Sequence, residues 1–100
     1  MANLAIVTEI RRQLYAGGTT KVWSWGAHAW AAIDEYTLRF RVTGQLFRGI
    51  VTVYLTGMDD YTVKLLKTDG TVVKEINGVY CDNLTDVIDE AVEKIPAYKH

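Results

Sequence analysis

Two runs of alternating residues, joined by a glycine turn, constrain this chain more than any other feature. Leu38, Phe40 and Val42 alternate with Thr37, Arg39 and Arg41 along the run Tyr36 to Val42, and a second run, Phe47 to Leu55, follows after Gly44-Gln45. Successive side chains of a strand point to opposite faces, so each run has one face to bury and one to leave polar. Glycine at the first central position suits a type II′ turn. A turn centred on Gly44-Gln45 predicts that Val42 faces Phe47, Phe40 faces Gly49 and Leu38 faces Val51. On the other face it sets Arg41 against Arg48, Arg39 against Ile50 and Thr37 against Thr52.

Further strands are predicted on each side. Gly57-Met58-Asp59-Asp60 reads as a turn, Tyr61 to Lys67 as a strand, and Asp69-Gly70 as a hairpin signal leading into Val72 to Ile76. That register sets Lys64 against Glu75 and Leu66 against Val73. Asn77-Gly78 ends this strand or prolongs it through Val79-Tyr80-Cys81. Upstream, Val22 to Trp30 reads as one strand or a two-part extended segment, with Trp23, Trp25, Ala27 and Ala29 on one parity, and Asp34-Glu35 marks the turn that follows.

Helical spacing appears only at the ends. Leu4, Val7, Ile10, Arg11 and Leu14 line one side of a first helix, capped by Asn3 and stopped by Gly17-Gly18. Leu84, Val87, Ile88, Ala91, Val92 and Ile95 form a broad apolar stripe on a last helix, with Asn83 and Asp86 at capping-box spacing and Pro96 as its stop. The predicted fold is α+β: a two-layer sandwich with an N-terminal helix, a four- or five-stranded antiparallel meander and a C-terminal helix, all within a single domain over residues 1–100. The order of helix, antiparallel strands and helix resembles that of double-stranded-RNA-binding domains. Those domains carry basic residues at the start of the last helix, where this chain has Asp82-Asn83-Leu84-Thr85-Asp86, so none of their binding residues carries over. The run Thr37 to Val42 is also similar to stretches in proteins of bacterial phages and mobile elements, a likeness that implies no function.

Known chemistry finds little to attach to. The sequence has no phosphate-binding loop, dinucleotide fingerprint, zinc-protease motif or nucleophile elbow. Gly17-Gly18-Thr19-Thr20-Lys21 lacks the leading glycine and the Gly-Lys-Ser/Thr ending of a phosphate loop. Cys81 has no intrachain partner and reads as a small buried apolar side chain. His28, with Asp34 or Glu35 across a turn, and Cys81 are the only candidates for catalysis. The two histidines, His28 and His100, and one cysteine make a poor metal set. No catalytic residue, metal or cofactor is assigned. With no secretory leader and no apolar stretch near the ~20 residues a spanning helix needs, the expected location is cytoplasmic, away from membranes.

The net charge of −1 conceals an asymmetry: residues 1–48 carry +3 and residues 49–100 carry −4. Arg39, Arg41, Arg48, Tyr54 and Lys64 fall on one sheet face, and Asp82, Asp86, Asp89, Glu90 and Glu93 cluster at the last helix. Three tryptophans, Trp23, Trp25 and Trp30, exceed what so small a core needs, and aromatic residues often anchor protein interfaces. The expected function is a non-catalytic protein-binding or accessory module, with a homodimer as one form. Candidate binding residues are Trp23, Trp25, Trp30, Arg39, Arg41, Arg48, Tyr54 and Lys64. The alternative is weak nucleic-acid binding through the basic face of Arg39, Arg41, Arg48 and Lys64.

Overall fold

The computed structural model describes residues 5–44 and 46–92. The expectations for Asn3, Leu4, Gln45, Glu93, Ile95, Pro96 and His100 lie outside these described residues. Helices α1 (Ala5–Ala16) and α2 (Thr19–Ser24) precede strands β1 (His28–Asp34), β2 (Thr37–Thr43), β3 (Arg48–Leu55), β4 (Tyr61–Leu66) and β5 (Val72–Val79), and helix α3 (Leu84–Val92) closes the order. The strands form one antiparallel meander, β1-β2-β3-β4-β5, with the helices on a single face. The predicted α+β architecture is therefore present, with five strands and one additional helix.

That helix corrects the reading of Val22 to Trp30 as extended. Thr19–Ser24 is helical, Gly26 turns the chain at φ 64°, and only His28 onward is strand. Val22 and Trp25, three residues apart, both reach the core as helical neighbours do. Tryptophans at alternate positions match a strand equally well. A side chain at Gly26 would collide with Thr43, whose N–H donates to Trp25 O at 2.7 Å.

Each helix is short enough to be marginal alone and is held by burial. Leu84, Ile88 and Val92 of α3 and Ile10 and Leu14 of α1 have no exposed surface. Burying such a side chain contributes roughly 1.5–3 kcal/mol. They pack on Leu38, Phe40, Val42, Val51, Val53 and Val63 from the covered sheet face. Phe40 lies between two tryptophans, with ring centroids 6.3 Å from Trp25 and 4.5 Å from Trp30.

Polar contacts fix how the helices sit. Thr85 Oγ1 donates to Leu14 O at 2.9 Å, Lys21 pairs with Asp86, and the buried Asp89 accepts from the Trp25 indole at 3.0 Å. Gly17 allows the first of these, because a Cβ there would lie 2.7 Å from Thr85 Cβ. Asn83 holds the position that caps α3, since its carbonyl accepts from Val87 N–H. Its side chain, however, turns back to accept from Tyr80 N–H, and Asp86 turns to Lys21, so the predicted pairing of Asn83 and Asp86 gives way to tertiary contacts.

The β2–β3 register also corrects the sequence reading. Arg41 pairs with Ile50, Arg39 with Thr52, Thr37 with Tyr54 and Thr43 with Arg48. The hairpin is longer at its tip than predicted, and Gly44 flanks the turn, its N–H bonded to Phe47 O. Leu46 and Phe47 donate their N–H groups to Val92 O at the last turn of α3. The strands slip by two residues, so every side chain keeps its predicted face while its partner changes. In β4–β5, Lys64 does pair with Glu75, but Leu66 pairs with Val72 instead of Val73. A loop over residues 68–70, with Gly70 at φ 96°, adds one residue, and a bulge at Val73 restores the register.

Candidate functional site

The sheet face opposite the helices is where most of the predicted site residues meet. Directly paired residues share a face, so cross-strand rows can be traced over it. One row runs His28, Arg41, Ile50, Leu66, Val72. The next runs Ala31, Arg39, Thr52, Lys64, Glu75, and the third Asp34, Thr37, Tyr54, Thr62. Arg48, opposite Thr43, is diagonal to Arg41. The face thus brings together Arg39, Arg41, Arg48, Tyr54 and Lys64. Thr52 is buried within its row, between Arg39 on β2 and Lys64 on β4.

Charge on the face is uneven. Lys64 lies 3.8 Å from Glu75, whose carboxylate also accepts from Asn77, and Asn77 in turn accepts from Thr62. This chain of contacts occupies the β4–β5 side. Arg39, Arg41 and Arg48 are exposed and make no salt bridge or side-chain hydrogen bond among the described residues. Beside them, Ile50 and Leu66 are half-exposed and Val72 is exposed, forming an aliphatic stripe across three strands. A shallow polar depression next to it is lined by Thr37, Thr52, Tyr54, Thr62 and Asn77, with Tyr54 43% exposed.

The tryptophans separate. Trp25 is wholly buried and bonded to Asp89, which corrects its expected place among the binding residues: in this fold it cannot touch a partner. Trp30, partly buried, stacks on Phe40 with the Arg11 guanidinium 4.8 Å over its ring, and it lines a shallow depression with Val7 and Leu38. Trp23, 75% exposed on α2, is the most open of the three, and it belongs to the helical layer, away from the arginines. The place of Arg11 on the apolar side of the first helix is the sequence signal for its contact with the Trp30 ring.

The catalytic candidates do not assemble. His28 donates from Nδ1 to Gly26 O at 2.7 Å, and Asp34, at the opposite end of β1, accepts from Tyr36 N–H. Cys81 is exposed, which corrects the expectation of a buried side chain. It lies in the connection before α3, beside Gln13, Gly17 and Asp82, where the chain leaves the sheet and has no core to enter. Among the described residues, no three histidine, cysteine, aspartate or glutamate side chains group as metal ligands, and no helix is long and apolar enough to cross a membrane.

Compared with known proteins, the chain matches no family model, no curated protein and no solved structure.

Proposed function

We propose that this protein is a non-catalytic interaction module that docks a protein partner on its uncovered sheet face. One observation carries this reading: an aliphatic stripe, Ile50-Leu66-Val72, lies directly beside three arginines that have no partner within the described fold. Protein interfaces combine an apolar centre with a polar rim enriched in arginine. Docking by strand addition at an edge is less favoured. β1 has register shifts after His28 and after Ala32, and β5 opposes two more, one of them the bulge at Val73. Bulges blunt an edge against pairing with another chain.

A displayed random-peptide library tests the proposal. Peptides selected on the protein are expected to lose at least tenfold in affinity for Ile50→Glu, with the circular dichroism and melting temperature of the variant unchanged. Peptides that bind Ile50→Glu undiminished would place the interaction elsewhere and overturn the reading.

A further inference from the structure

The charge of the uncovered face restricts what can cover it. Arg39, Arg41, Arg48 and Lys64 stand there against Asp34 and Glu75, a net charge of +2. Stacking this face on the same face of a second copy would bring two positive surfaces together in a desolvated contact, where like charges repel most strongly. The acidic helix of a second copy is a poor substitute. Asp86 is paired with Lys21, Asp89 is buried under Trp25, and Glu90 is engaged within the fold. Asp82, in the connection before α3, is the exposed carboxylate left over at this end among the described residues, too few to match three arginines.

Resting on the docking reading above, we infer that the partner is a different protein, and that it presents an acidic segment with aliphatic side chains next to its carboxylates. Arg41 and Ile50 are directly opposed, with Cβ atoms about 5 Å apart, and Arg48 is the diagonal neighbour of Arg41 at about 7–8 Å. Leu66 lies one strand beyond Ile50, about 4.8 Å farther on. A ligand matches these spacings with acidic and aliphatic residues two apart in an extended chain, or three to four apart on a helix. Arginine suits the task because its planar fork binds a carboxylate through two parallel hydrogen bonds. A nucleic-acid backbone would satisfy the arginines but leave Ile50, Leu66 and Val72 uncovered, which favours protein.

Fluorescence anisotropy with three labelled peptides of equal length tests this inference. The first repeats Glu-Ser-Leu-Gly, which sets acidic and aliphatic residues two apart, the second replaces each Glu by Lys, and the third replaces each Leu by Ala. A single-stranded oligonucleotide serves as a fourth probe. The Glu-Leu peptide is expected to bind, to weaken about tenfold on Arg41→Thr and on Ile50→Glu, and to weaken as salt screens the arginines. The Lys peptide should not bind, the Ala peptide should bind about tenfold more weakly, and light scattering should show a monomer.

Equal binding of the Lys peptide, or failure of all three while library peptides still depend on Ile50, overturns the acidic partner and leaves the docking face standing. Tighter binding of the oligonucleotide, sensitive to Arg41→Thr but not to Ile50→Glu, overturns it in favour of nucleic acid. A dimer that Ile50→Glu dissociates overturns it in favour of a second copy. Library peptides indifferent to Ile50 remove the face itself.

Discussion

The Trp25 indole donates to Asp89 Oδ1 at 3.0 Å, and both side chains are buried between α2 and α3. Residues 64 positions apart thus meet in a buried contact between a carboxylate and an aromatic donor. Asp89→Ala strands the indole N–H without an acceptor, at a cost of about 1–3 kcal/mol. Asp89→Asn retains an acceptor oxygen and should cost less. Urea unfolding followed by tryptophan fluorescence measures both, and equal losses would show that the carboxylate's charge, not its acceptor, is what matters.

Gly17, just after α1, lies against Thr85 of α3. Gly17→Ala would set a methyl group 2.7 Å from Thr85 Cβ, forcing the helices apart. Overpacking of this kind typically costs about 1–3 kcal/mol. Thermal unfolding should show a clear fall in Tm, and an unchanged Tm would mean that Thr85 can yield.

At the edge of the core, Arg11 covers the Trp30 ring at 4.8 Å and the Tyr15 ring at 5.8 Å. Arg11→Ala is expected to cost about 0.5–1 kcal/mol and to shift tryptophan emission to the red as Trp30 becomes wetter. Emission that stays put would argue that Phe40 alone shields the ring.

On the open face, Arg41→Thr should leave stability within about 0.5 kcal/mol of the parent. The shifted register makes Ile50, not Arg48, the direct partner of Arg41, so no directly opposed arginine pair exists to be relieved. Destabilisation above about 1 kcal/mol in chemical denaturation would show a structural role for the guanidinium.

Tyr61 provides an alkaline signature. Burial pushes its phenol pKa up from the ordinary value of 10.0, against the opposing effect of its hydrogen bond to Gln13 at 2.7 Å. With the folded pKa above the unfolded one, the stability contributed is fully present below about pH 10 and is lost as pH rises through the folded value. Melting temperatures from pH 8 to 11 should fall more steeply for the parent than for Tyr61→Phe. The acid limb has the opposite sign. Glu9 is lowered by its hydrogen bonds from Arg12 and Gln13, and Asp69 by the Thr71 N–H. Both contributions are present above the ordinary carboxylate values near 4 and are lost as pH falls below them.

Much of the fold was legible because local patterns and tertiary burial agree. The stripes Val7-Ile10-Leu14 and Leu84-Ile88-Val92 are buried as their spacing requires. The alternation of β2 and β3 assigned Arg39, Arg41 and Arg48 to one face correctly, since parity survives a slip of two residues. The pairing of Lys64 with Glu75 also followed from the strand patterns and the hairpin between them. These features depend on period and turn chemistry, which neighbouring residues determine among themselves.

The remainder depended on partners distant in sequence. Which residue faces Arg41 was decided at the hairpin tip, where Leu46 and Phe47 bond to the end of α3. Thr19–Ser24 became helix with Trp25 at its end packed on Phe40 and bonded to Asp89, and the alternation of Trp23 and Trp25 could not distinguish that packing from a strand. Asp86 and Asp89 looked like free surface charge until α2 was set against them. Sequence alone determined α1, α3, the strands from β2 onward and the faces of the β2 and β3 side chains, through backbone periodicity and burial. Tertiary structure decided the pairings, and with them which charges are spent inside the molecule and which arginines remain without a partner among the described residues, because an ion pair or hydrogen bond requires two groups at the same point in space.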